Sequence, residues 1–269
     1  MLPSVFASVG NFSFEVIVVD NGSTDGTLDS LKRLKDLKYK DLKIIANKNN
    51  GFSHGNNLGI KQAQGKYLLI LNPDTELKSS TLATTLNLME NRPEVGIAGC
   101  KILLPTGKLD LACRRRFPNP WNSFKRLFLL NNRDYNYSNI PIDQEMEVDS
   151  VVGAFMLVRK TVVDKIGLLD EKFFMYGEDL DWCWRCKAAG FKVWYYPKAV
   201  ITHYKGSSSK KIPFRALRWF HDAMWIFYSK HYASQYIFLF NWAVWVAIYL
   251  RLAGLAAINF FRKEKFVSK

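Results

Sequence analysis

Cysteine is scarce, at four in 269 residues. That is too few for a disulfide scaffold and fits free thiols in a reducing compartment. No secretory leader is read at the start. No internal repeat is found. Acidic residues are also short, 24 against 38 lysines and arginines, which leaves a net charge of +14. This imbalance implies an anionic partner: nucleic acid, a membrane surface or a phosphate-bearing ligand. What is present, 48% hydrophobic and 23% charged residues, supports a sizeable core. A disordered or collagen-like chain is excluded, and the length suits one large domain or one domain with an appendage.

The charge has an address. Residues 201–269 hold 11 basic and 2 acidic residues, or +9, and the first 200 carry only +5. Zinc-finger spacing, an RNA-binding signature and a basic helix with base-reading residues are all missing, so nucleic acid is not the expected partner. From Tyr232 to Leu250 no residue carries a formal charge, and after Arg251 ten more uncharged residues run to Phe261. Such a stretch is long enough to meet a bilayer. Tyr232, Tyr236, Trp242, Trp245 and Tyr249 suit the headgroup level, and Arg262, Lys263 and Lys265 suit anionic lipid. A buried core helix is the competing reading. Ser234, Gln235, Asn241 and Arg251 interrupt the segment, so spanning and lying flat both stay open.

Before Pro213 the pattern is α/β, with short apolar runs alternating with polar helical stretches. Strands are expected at Phe14–Val19, Leu42–Ala46, Tyr67–Leu71, Val95–Leu103, Val148–Val158 and Lys192–Tyr196. Helices are expected at Gly26–Leu37, His54–Ala63, Thr81–Asn91 and Glu178–Ala189, the last closed by Gly190. Residues 105–147 read as loop-rich.

Four short signals could carry chemistry. Asp20-Asn21-Gly22-Ser23-Thr24-Asp25-Gly26 joins a strand end to a helix start, where α/β sheets bind ligands and helix N–H groups suit anions. Ser23 or Asp25 could equally be an ordinary N-cap. Asn72-Pro73-Asp74 ends another strand, where a carboxylate can hold a divalent cation, although the tripeptide also makes a common turn. Gly177-Glu178-Asp179 opens a helix, where acids either complement the dipole or act as a general base. His203 is a potential metal ligand, or a hydrogen-bonded bystander.

Taken together and in order, with Asn49-Asn50-Gly51-Phe52, Gly55-Asn56-Asn57, and Gly206-Ser207 after His203, this set resembles family 2 glycosyltransferases of the GT-A fold. Within them it is similar to the rhamnosyltransferase-type enzymes of surface polysaccharides. The likeness covers roughly residues 5–230. It implies a Rossmann-like α/β domain with a mixed central sheet over residues 1–212, and a basic, hydrophobic helical tail at 213–269 on the cytoplasmic face of the cell membrane. It further implies a nucleotide-sugar donor, a saccharide or lipid-linked acceptor, and Mg²⁺ or Mn²⁺. Asp20 and Asn21 would then contact the donor, with Ser23 and Asp25 shaping that turn. Gly51 and Asn56 would lie along the donor. Asn72 would occupy the first position of the family's Asp-X-Asp motif and Asp74 its metal-binding position. His203 would complete the metal site. Asp179 would be the general base, with Glu178 beside it.

Family members open with an apolar strand and a helix that precede the strand at Phe14. Met1-Leu2-Pro3-Ser4 resembles the end of that helix, so the first strand is expected to be missing. The alternative function is accordingly a truncated, inactive homologue serving as a membrane-bound binding or assembly subunit. Cys183 and Cys186 have CxxC spacing but fall within a helix, which speaks against zinc. Arg114-Arg115-Arg116 reads either as an acceptor-phosphate site or as a solvated loop. Trp121, Phe124 and Phe128 at helical spacing read as core packing, with an acceptor-side or membrane-facing surface as the other account.

Overall fold

The computed structural model describes every residue except 9, 38, 40–41, 129–133, 206–211 and 263–269. Gly206, Ser207, Lys263 and Lys265 therefore lie outside the described residues, as do the side chains of Phe124 and Phe128. A short helix, α1 (Leu2–Phe6), precedes β1 (Val16–Asp20), α2 (Thr27–Leu37), β2 (Leu42–Ala46), α3 (Phe52–Gln62) and β3 (Tyr67–Leu71). Next come β4 (Thr75–Leu77), α4 (Thr81–Asn91), β5 (Val95–Leu103), α5 (Pro120–Phe128) and β6 (Met146–Glu147). The remaining elements are β7 (Phe155–Arg159), α6 (Lys160–Ile166), α7 (Glu178–Ala188), β8 (Lys192–His203), α8 (Pro213–His231) and α9 (Phe238–Phe261).

The sheet is mixed and in two parts. β1 and β2 pair in parallel, while the main sheet runs β3-β7-β5-β8-β4 with β6 on β8. Only β5 and β8 are parallel within it; β3, β4 and β6 pair antiparallel with their neighbours. Among the described residues, no strand pairs with the second edge of β1 or of β3. Both of these open edges line a single large cleft. Helix α1 joins the two parts, with Leu2 in the small core over β1 and β2 and Val5 in the main core. Its Ser4 Oγ accepts from the Leu77 N–H of β4.

β5 is central because its sequence can be buried on both faces. Val95, Ile97, Ala98 and Cys100 are fully buried. Gly96 lets α7 and the following strand close over it, since a Cβ there would stand 2.7 Å from Cys186 Sγ and 2.8 Å from Phe191 Cβ. Arg159 then ties the layers together, donating to Met89 O, Val95 O and the Tyr67 hydroxyl.

The observed elements differ from the expected ones for definable reasons. β7 starts at Phe155 rather than Val148, because Ser150 instead pairs with Arg115 as an isolated bridge and Asp149 accepts from Phe117 N. β8 does not stop at Tyr196. It bulges, with Cys100 opposite Tyr196 and Lys101 opposite Val200. The bulge absorbs Pro197, which has no N–H to donate to a ladder, and the strand continues to His203. Trp121 is 64% exposed, which overturns its reading as core. β4 and α6 are too short to leave a periodic signal.

One buried charge fastens α7 to α8. Asp181 has no exposed surface and accepts from Arg185 Nε on its own helix; His231 and Lys230 of α8 lie 2.9 and 2.8 Å from its other oxygen. Burial raises its pKa, but His231, Arg185 and Lys230 outweigh that and lower it from 3.8 to about 2. A depressed carboxylate contributes stability above its unfolded pKa and loses it as pH falls through its folded one. Asp181→Asn is expected to cost about 3 kcal/mol by stranding cations. It should also remove a component of about 2 kcal/mol lost between pH 3.8 and about 2, read from denaturation at a series of pH values.

Candidate active site

Ten of the eleven residues singled out from sequence line one cleft of about 2780 Å³ between the two sheets and α8–α9. Gly51 is the exception and lies behind it, at φ +104°, where a Cβ would stand 2.7 Å from Phe174 O. Only glycine tolerates that backbone and that approach.

On the donor side, β1 delivers Asp20 to its carboxyl end, where the buried carboxylate accepts from Ser23 N at 3.2 Å. Asn21 accepts from Asn47 Nδ2 at 3.0 Å and donates to Gly51 O at 3.3 Å, pinning two loops together. Asp25 stands one residue before the N-cap position of α2 and closes the turn, accepting from Thr27 N and Thr27 Oγ1. Asn56 donates to Phe52 O one turn back on α3, with its side chain along the cleft.

The end of β8 meets the turn after β3. His203 Nε2 is 3.1 Å from Asp74 Oδ1, and its Nδ1 is 3.6 Å from Asp110 Oδ2, an ion-pair distance rather than a hydrogen bond. Lys205 Nζ donates to the other Asp110 oxygen at 2.6 Å. Burial works against a charged imidazole here, but Asp110 and Asp74 outweigh it and raise His203 to about 9. Asp110 is 3% exposed, and His203, Lys205 and the Ala112 N–H bring it down to about 2 against the cost of burial. Asn72 Oδ1 is buried without a partner beside this group. A carboxylate, an imidazole and an orphaned amide oxygen fit a divalent cation that takes its remaining ligands from phosphate and water. Among the described residues, no cluster of three or more His, Cys, Asp or Glu could hold such an ion.

Across the cleft, Gly177 turns the chain into α7 and sets Glu178 and Asp179 in its first turn, where free N–H groups favour acids. The two neighbours are treated oppositely. Asp179 Oδ2 accepts from Arg115 Nη2 at 2.8 Å and Gly153 N at 3.1 Å, and Oδ1 accepts from Leu180 N at 2.7 Å. Glu178 has an unpartnered Oε2. Burial, and then the Asp179 charge, raise its carboxyl to about 8, so it is protonated at neutral pH.

Asp110 and Arg115 were not assigned from sequence to the residues they serve. The arginine run is not a solvated loop. Arg114 is buried and donates to Ile140 O and Pro141 O, Arg116 donates to Asp134 O, and Arg115 serves Asp179. Asp110 stands in the loop-rich stretch, where no motif marks it. Cys183 and Cys186 are fully buried, and burial pushes Cys186 up to about 12.

Residues 1–221 match the family described as glycosyltransferase like family 2. Rhamnosyltransferase WbbL of Escherichia coli K12 is 29% identical over 213 residues, spanning 77% of this chain and 78% of that protein. The N-acetylglucosaminyl-diphospho-decaprenol L-rhamnosyltransferase of Mycobacterium tuberculosis is 24% identical over 264 residues, or 88% of this chain and 81% of its own. Among solved structures, mannosyltransferase PcManGT of Pyrobaculum calidifontis, in complex with GDP-Man and Mn²⁺, gives a TM-score of 0.58 at 16% identity, covering 97% of this chain and 71% of that one. Residues 1–349 of Staphylococcus aureus TarS, in complex with UDP-GlcNAc, give 0.56 at 19% identity, covering 85% and 61%. The chain therefore belongs to glycosyltransferase family 2 and has the GT-A fold: it is a sugar-transferring enzyme.

Proposed function

We propose that this enzyme moves a hexosyl group, of rhamnosyl type, from a nucleoside-diphosphate donor to a lipid-linked saccharide, with inversion, during cell-surface glycan synthesis. The observation that carries the reading is the arrangement of one cleft, with Asp179 held by a guanidinium on one wall and Asp74 with His203 on the other. The relatives' names, two of them rhamnosyltransferases, support the donor type and the lipid-diphosphate acceptor.

In this reading Asp20 and Asn21 hold the nucleotide, the turn through Ser23 and Asp25 shapes its seat, and Asn56 lines the donor's path, with Gly51 behind it allowing the close approach of Phe174. Asn72 stands at the diphosphate end of the donor, its orphaned oxygen available to the cation rather than to the phosphates. Asp74 and His203, the imidazole giving up its proton on binding, would hold the cation, which as a Lewis acid would neutralise charge on the departing diphosphate. An imidazole in the set favours Mn²⁺ over Mg²⁺, which prefers oxygen ligands. Asp179 accepts the proton of the acceptor hydroxyl as that oxygen bonds to the anomeric carbon and the bond to the diphosphate breaks. Attack opposite the leaving group inverts the carbon. Arg115 and Gly153 N orient Asp179. Glu178, being neutral, positions the acceptor rather than taking its proton. Residues 1–212 form the catalytic part, and 213–269 meet the cytoplasmic face of the membrane.

The test is turnover of a nucleotide-sugar panel with Mn²⁺, with Mg²⁺ and with chelator. Asp179→Asn should lower kcat by about 10²–10⁴-fold; full activity would reject the assignment of the base. Asp110→Asn should weaken Mn²⁺ binding by about 10–100-fold, read by Mn²⁺ paramagnetic resonance, since the carboxylate behind a ligand histidine orients it. Glu178→Gln should keep most activity and change the pH profile of stability. A raised carboxyl contributes stability below its unfolded pKa of 4.5 and loses it as pH rises through about 8. The wild-type protein should therefore lose stability across that window while Glu178→Gln does not.

A further inference from the structure

Helix α9 is long and apolar enough to cross a bilayer by length and composition. Asn241, Tyr249 and Arg251, however, are engaged with the helix before it. Asn241 accepts from the Tyr228 hydroxyl at 2.5 Å and donates to Ala233 O at 3.0 Å. Tyr249 donates to Asp222 at 2.9 Å. Arg251 donates to His221 Nε2 at 2.7 Å, while His221 Nδ1 donates to Leu217 O at 2.8 Å, which leaves Nε2 as the acceptor. Moving up α9 from Asn241 to Arg251 is thus matched by moving down α8 from Tyr228 to His221. The two helices are clamped antiparallel over about 15 Å.

α8 is in turn fixed to the catalytic body. Lys230 and His231 reach Asp181, and Phe227 packs with Phe173 and Leu180. α8 also exposes Arg215 and Arg218. An α9 that crossed the bilayer would break the clamp or carry those arginines into hydrocarbon, where a charged side chain is costly. The outward side of α9 meanwhile exposes Phe238, Trp242, Trp245, Leu250 and Phe261. Its inward residues Val244, Ile248 and Arg251 line the same cleft as Asp179 and Asp74.

We infer that α9 lies flat in the interface of an anionic bilayer, its outer face among headgroups and acyl ends, and that it forms the lipid-side wall of the active-site cleft. The occupant is lipid rather than a protein partner, because indole and phenol rings suit the headgroup level and the +9 of residues 201–269 complements anionic headgroups. The inference deepens the proposed membrane contact and rests on it. A substrate anchored in the bilayer then reaches the base without leaving the surface.

The four native cysteines are buried, so a membrane-impermeant maleimide reads an added one. Full-length Ser30→Cys, exposed on α2, and Ser268→Cys, beyond α9, are each added to preformed phosphatidylcholine vesicles containing 30% phosphatidylglycerol. The chain should float with these vesicles, more so than with phosphatidylcholine alone, and both cysteines should label fully from outside. Labelled Ser30→Cys with protected Ser268→Cys would mean that α9 crosses, overturning the flat placement while keeping the membrane contact. Absence of flotation would overturn both.

Discussion

A single carboxylate with no exposed surface, Asp181, holds the functional halves of the molecule together. It sits two residues after Asp179 on α7 and draws Lys230 and His231 from the end of α8. Breaking such a buried group strands several charges at once, so the register between α7 and α8 is stiff. The position of the base, the cleft wall and the placement of α9 all inherit that stiffness.

Opposite charges are balanced on either side of the cleft by different means. On one side a chain of alternating sign, Asp74, His203, Asp110 and Lys205, compensates each member with its neighbour. On the other, adjacent acids in one helical turn avoid mutual repulsion by protonation of Glu178 while Arg115 neutralises Asp179. The dipeptide Glu178-Asp179 thus sets two adjacent acids in opposite surroundings, Asp179 on a guanidinium and Glu178 in a buried site that raises its pKa.

The apolar strands β2, β3 and β5, the helix α7 and the carboxylates at strand ends were all legible in the sequence. Buried strands and capped helix starts leave local patterns of composition. The partners of those carboxylates were not legible. Arg115 reaches Asp179 across 64 positions and Lys205 reaches Asp110 across 95, and no local pattern encodes such distances. The continuation of β8 through Pro197 to His203 was hidden because a proline argues against a strand unless a bulge removes the need for its N–H.

By itself the sequence determined the α/β class, the family, the order of the polar motifs and a C-terminal quarter that is both basic and aromatic. These are properties of neighbouring residues and of counts. Only the tertiary structure decided which arginine meets the base, which aspartate backs His203, and that Asn241, Tyr249 and Arg251 are spent on α8. A polar residue in an apolar helix acquires its meaning from the group that satisfies it, and that group was ten to thirty residues away.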